Sequence, residues 1–155
     1  MQFLEEGSRQ VTLLDGDLVK SHMYGDFGTS KEHRSLNVKR ICYMASEITK
    51  NGGIAICAPI APYESDRRVN RELISPLGGF IEIYVNTSLE KYEERDVKGL
   101  YKKAIDGDIT NMIGFSDSNP YEVPLSPNLT VNTGKINLHE SVDIIIKYIN
   151  KRQGN

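Results

Sequence analysis

Residues 30–63, SKEHRSLNVKRICYMASEITKNGGIAICAPIAPY, carry in one run the pattern that decides the fold. Val38, Ile41, Ala45 and Ile48 step by three and four, which places them on one helical face. Ser30 supplies a hydroxyl to cap the helix start, and Gly52 stands where a left-handed residue closes its end. The apolar run IAICA at 54–58 then reads as a strand, stopped by the proline-rich PIAPY. Working outward, VTLL at 11–14, FIEIYV at 80–85 and LTVN at 129–132 read as further strands. Thr87 with Glu90 forms a capping-box pair that opens a helix after the third strand. Asn137 with Glu140 repeats the arrangement before the stripe Val142, Ile145 and Ile149. Strands alternating with helices predict an α/β fold, a parallel sheet covered by helices on both faces. Residues 97–128, rich in Gly, Lys, Asp, Ser and Pro, read as a short helix followed by a mobile lid loop at about 106–127. No repeat or second core interrupts the pattern, so a single domain over 1–155 is expected.

Composition narrows the function classes. A net charge of -2 supplies no bulk attraction for nucleic acid or an anionic membrane, so neither is expected as a partner. No apolar run approaches the roughly 20 residues a membrane helix needs, and MQFLEEGSRQ at the start is no secretory signal. A cytoplasmic location is therefore expected. Cys42 and Cys57 lie in apolar segments; a disulfide between them is open, but they read first as free buried thiols.

In sheets of this kind ligands sit beyond the carboxyl ends of the strands, so the residues after each strand matter most. Asp15-Gly16-Asp17 follows the first strand. Its carboxylates suit magnesium-bound water or a hydroxyl that attacks phosphorus, and equally suit capping of the next helix. The segment GDFGTSKEHRSLNVKR at 25–40 gathers His33, Arg34, Lys39 and Arg40 near Phe27. Arginine forks fit phosphate or sulfate and an aromatic stacks on a purine, although a solvated basic helix face has the same composition. EERDVKGLYKKA at 93–104 places Arg95, Lys98, Lys102 and Lys103 ahead of the lid, where cations neutralise transferring phosphoryl groups or merely decorate a surface. His22 and His139 lack partners at metal-ligand spacing.

Taken in order, LLDGD, GTSKEHRSLNVKRI, ASEITKNGGIAICAPIAPY, ERDVKGLYKKA and the Gly-Phe-Ser-Asp turn at 114–117 with PYEVP resemble the adenylylsulfate (APS) kinases from Val11 to about Ile149. The resemblance implies a three-layer P-loop kinase-like fold and transfer of the γ-phosphate of Mg-ATP to APS in sulfate assimilation. It implies Asp17 as the catalytic-region carboxylate acting on the 3′-hydroxyl or on magnesium, with Lys98 beside it from the lid. Lys20, Phe27, Arg34 and Asn37 match substrate-holding positions, as do Ile60, Ala61 and Pro62 in the loop after the second strand. Leu100 matches a lid contact, Phe115 the lid aromatic that stacks on the APS adenine, and Arg95 an arginine near the ATP base. A homodimer, or association with ATP sulfurylase, is the assembly the resemblance implies.

The departures from the family pattern are specific. Lys20 stands where arginine is usual, and Ala61 where many members carry serine, so phosphate cannot be carried on that residue. The phosphate-cradling sequence Gly-x-x-x-x-Gly-Lys-Ser/Thr is missing from these 155 residues. Gly134-Lys135 is followed by Ile136, and Leu129 occupies the place of the earlier glycine. The resemblance implies that residues 1–10 are the remnant of the first helix, with the central first strand and the P-loop absent upstream. Impaired turnover is the resulting expectation, and an APS- or PAPS-binding regulatory module or a fragment of a bifunctional enzyme is the alternative.

Overall fold

A computed structural model describes residues 9–23, 28–96, 99–109, 111–114 and 118–153. The chain runs β1 (Val11–Asp15), α1 (Gly16–Met23), α2 (Lys31–Lys50), β2 (Ile54–Ala58), α3 (Glu64–Ile74), β3 (Ile83–Asn86), α4 (Leu89–Arg95), α5 (Leu100–Ile105), β4 (Leu129–Asn132) and α6 (Leu138–Gln153). The α/β class and the parallel strands are as expected. β1 pairs with β2 from Val11 opposite Ile54 to Asp15 opposite Ala58, and β3 pairs with β4 from Ile83 opposite Leu129 to Asn86 opposite Asn132. These are separate two-stranded sheets, with no ladder joining one pair to the other among the described residues.

Two compact units result, one of residues 1–80 with 119–123, the other of residues 81–118 with 124–155. In the first, α2 lays Ile41, Cys42 and Ala45 against Leu14 of β1, and Ile74 of α3 completes the buried cluster. Ile41 is only 1% exposed, so its whole side chain contributes apolar burial. In the second, Val131 of β4 is buried to a similar degree at 2% exposure. Asn128 leads into β4, its backbone N–H and side-chain oxygen both bonding the backbone of Glu82 at 2.9 and 2.8 Å.

The predicted ends of α2 are found in atomic detail. Ser30 Oγ accepts from the His33 N–H at 3.3 Å. Gly52 takes φ 82° and donates to Thr49 O, a conformation glycine adopts without the strain a side chain brings. At α6 the capping box is reciprocal: Asn137 N–H donates to Glu140 Oε2 and Glu140 N–H to Asn137 Oδ1, both at 2.9 Å.

Other expectations need correction. Strand β3 begins at Ile83 rather than at Phe80: the Glu82 N–H bonds the Asn128 side chain instead of a backbone carbonyl, so the ladder starts one residue later. The Thr87 hydroxyl pairs with the Thr133 hydroxyl, and α4 opens at Leu89 with the Lys91 N–H on Ser88 O. Helix α3 was not anticipated at all. Cys42 is a free, buried thiol as expected, but Cys57 is free and exposed.

Replacing Asn137 with Ala removes one half of the α6 box. We expect a loss of about 1 kcal/mol, read by urea unfolding followed through the helix signal, with Glu140→Gln losing less because the amide oxygen still accepts.

Candidate functional site

The turn after β1 lies against the exit of β2. A Cβ on Gly16 would sit 3.2 Å from the Cα of Pro59 and 3.5 Å from the carbonyl of Ala58, so a side chain there would push the strand ends apart by a few tenths of an ångström. Asp15 Oδ1 accepts from the N–H groups of Asp17 and Leu18, both at 3.0 Å, so Asp15 caps α1. Asp17 lies exposed in the first turn of α1, and Lys20, half-buried, follows one turn later on the same face.

The PIAPY loop is held in an unusual shape. Ala61 adopts φ 44°, a left-handed conformation that costs a non-glycine residue about 1–3 kcal/mol and persists only where its surroundings enforce it. Ile60 is 66% exposed, while Pro62 and Tyr63 are buried. Lys31 places its Nζ 5.0 Å from the centre of the Tyr63 ring. Ser35 donates its hydroxyl to Asp66 Oδ2 at 2.7 Å, fastening α2 to α3. Arg34 donates through Nε to Thr29 O at 2.7 Å, and Asn37 lies half-buried one turn further along. The first turns of α2 thus neighbour the loop after β2, bringing Arg34 and Asn37 to the end of the unit that holds Ile60, Ala61 and Pro62.

Asp66 and Arg67, each 6% exposed, are charges buried at the start of α3. Arg67 donates through Nη1 to Ala61 O at 2.7 Å, and through Nη2 to Glu64 Oε2 at 2.8 Å and Glu122 O at 2.6 Å. Sequence reasoning passed over both, since charged residues near a helix start are ordinarily surface groups. The available signal was a run of charge, ESDRR, directly behind a rigid proline loop.

In the second unit Arg95 donates through Nη2 to Thr133 O at 2.7 Å, and Leu100 is 41% exposed at the start of α5. Phe27, Lys98 and Phe115 lie outside the described residues. The Gly134-Lys135 turn cannot cradle phosphate: the Lys135 and Ile136 N–H groups both bond Asn132 O, and Gly134 N–H bonds the Asn132 side chain. Among the described residues no cluster of three or more His, Cys, Asp or Glu suits a metal ion.

The adenylylsulphate kinase family model matches residues 1–132. The chain belongs to that family. It is 44% identical over 149 residues to the adenylyl-sulfate kinase of Halothermothrix orenii, covering 96% of this chain and 78% of that one. It is 43% identical over 142 residues to the sulfate adenylyltransferase of Aspergillus oryzae, spanning 92% of this chain but 24% of the longer protein. The structure of the Mycobacterium tuberculosis APS kinase CysC in complex with AMPPNP and APS superposes with a TM-score of 0.85 at 27% identity, covering 96% of this chain and 85% of that one. A P-loop kinase-like fold for this member of the APS kinase family follows from these matches.

At the end of β2, desolvation pushes the Cys57 thiol up to about 11 despite its exposed surface, with a smaller contribution from Cys42. Burial likewise raises Cys42. At pH 8 only about a thousandth of Cys57 is then thiolate, the reactive form. We expect it to react with a chromogenic disulfide reagent at least about a hundredfold more slowly than free cysteine, the rate rising with pH past 9; a rate equal to free cysteine would show the thiol to be fully hydrated.

Proposed function

We propose that this chain forms the acceptor side of an adenylylsulfate kinase, in which APS receives the γ-phosphoryl group of Mg-ATP on its 3′-hydroxyl, giving ADP and PAPS for sulfate assimilation in the cytoplasm. The observation that carries the reading is the close packing of the Gly16 turn on Pro59, the residues that directly precede Asp17 and the Ile60–Ala61–Pro62 loop in the chain. Arg34 and Asn37 border the same end of the unit. In this reading Asp17 orients the hydroxyl or magnesium, Lys20, Arg34 and Asn37 hold the phosphosulfate, and the loop lines the nucleoside. Phe27 and Phe115 clasp the adenine, Lys98 and Leu100 reach the substrate from the lid, and Arg95 serves the ATP base. Ala61 lacks a hydroxyl, so the phosphoryl group passes directly between the two substrates. Kinship with the much longer fungal sulfate adenylyltransferases makes association with an ATP sulfurylase the natural assembly.

A second reading, APS or PAPS binding without turnover, is favoured by the Gly134-Lys135 turn. Its amides are spent inside the turn, and no other Gly-Lys pair exists in the 155 residues. Phosphoryl transfer depends almost wholly on positioning and electrostatics, so a polypeptide without an amide cradle loses several orders of magnitude in rate. The test is calorimetric binding of APS to residues 1–155, alongside PAPS formation with and without a P-loop segment fused upstream. We expect APS to bind, Arg34→Ala to weaken it at least about tenfold, close to 1.4 kcal/mol, and PAPS formation to require the fused segment. No APS binding would sink both readings, and equal turnover with and without the segment would remove the second.

A further inference from the structure

Helix α3 starts without a cap of its own. Tyr63 holds the N-cap position in extended conformation, and its side chain makes no capping hydrogen bond. The missing acceptor comes from far along the chain: Glu64 N–H donates to Glu122 Oε2 at 2.6 Å, across 58 residues. Glu122 also donates its own N–H to Pro62 O at 2.9 Å, and its carbonyl takes the Arg67 Nη2 bond at 2.6 Å. The Arg67 guanidinium lies 5.8 Å from the Tyr121 ring and holds Ala61 O through Nη1. Both carbonyls at the strained turn, Ala61 and Pro62, are therefore engaged by this pair of residues.

We propose that Arg67 and Glu122 are positioning residues for substrate, clamping the Ala61–Pro62 backbone in its left-handed turn so that Ile60 stands out towards the ligand. The proposal rests on reading this loop as the APS pocket. Neither residue touches APS. Each acts by fixing the carbonyls of the loop, and Glu122 adds negative charge at the positive end of α3. Residues 119–123, which carry the clamp's Glu122, belong to the first unit together with Ala61, Pro62 and Arg67.

Ala61 would relax from φ 44° if the clamp were released, because nothing intrinsic to alanine favours that conformation. The loop would then sample many shapes, and APS would have to select the bound one, weakening its apparent affinity by the fraction still competent. A merely structural role predicts something different, namely lower stability with affinity unchanged in the folded protein.

Glu122→Ala, Glu122→Gln and Arg67→Lys separate the two, each read by amide exchange and by APS calorimetry on the whole chain. We expect Glu122→Ala to speed exchange at the Glu64 amide at least about tenfold with the Ile41 amide unchanged, and to weaken APS at least about tenfold. Glu122→Gln keeps an acceptor oxygen and should restore APS affinity to within about threefold. Arg67→Lys keeps the charge but loses the fork, and should match Glu122→Ala. Should Glu122→Ala fail to fold, Glu122→Asp, whose shorter arm withdraws the carboxylate, takes its place. Unchanged exchange at Glu64 overturns the clamp, and faster exchange with unchanged APS affinity overturns its positioning role. If the unaltered chain fails to bind APS, the pocket reading fails and with it the positioning role; the exchange rates still decide whether the clamp exists.

Discussion

Burying the Arg67 guanidinium takes a full charge out of water, a cost of several kcal/mol. That cost is tolerable only because the planar fork reaches two backbone carbonyls and a carboxylate at once. The acceptors come from three places: the loop after β2, the first turn of α3 and the segment around Glu122. Each would be difficult to hold alone. Loop carbonyls removed from water need partners, and losing the common donor would leave each of them unsatisfied at about 1–3 kcal/mol. The rest of the first unit arranges itself around that requirement.

Asp66, the preceding residue, points the other way along the same helical turn. Its carboxylate accepts from Ser35 of α2, so one turn of α3 grips both the strand-end loop and the helix that carries Arg34 and Asn37. Beneath them the apolar cluster of Leu14, Ile41, Ala45 and Ile74 fixes the distance between α2 and the sheet. The polar node then fixes the direction in which the loop leaves β2. Packing decides where the layers sit, and hydrogen bonds to charged groups decide what the strand ends present.

Legibility followed this division. The helix α2 and the strands β2 and β4 were readable because their apolar residues repeat with the helical or strand period and their caps are local. The α6 box was readable for the same reason, with both partners three residues apart. Helix α3 was not, because Asp66 and Arg67 occupy buried positions where a periodic reading looks for Leu or Val, and only Ile74 among its apolar residues is buried. Its cap lies 58 residues away in Glu122, beyond any window of local pattern. Thr87 shows the converse failure: a local capping signal overridden by a tertiary partner, Thr133. Cys57 looked buried by composition, yet on a sheet that has two strands among the described residues it keeps exposed surface. Asp17, Arg34, Asn37 and the Ile60–Pro62 loop of the proposed site came from the family resemblance, whereas the left-handed turn at Ala61 could not be foreseen, since no residue type announces it.

The acceptor and donor halves of a phosphoryl transfer make different demands on a chain. Holding an acceptor needs side chains of the right chemistry at strand ends, the part given to Asp17, Arg34 and Asn37 in the proposed function. Holding a triphosphate needs consecutive backbone amides left unspent, a property of a turn's hydrogen bonding rather than of its composition. Gly134-Lys135 has part of the composition and none of the spare donors, because Asn132 accepts from three successive N–H groups through its carbonyl and side chain. A backbone N–H committed to a native turn cannot serve a ligand without breaking that turn. The contrast between the two turns is therefore physical: substitutions at surface positions of the Gly134-Lys135 turn would not create a phosphate site, whereas the loop at Ala61 already holds a conformation that only its surroundings maintain.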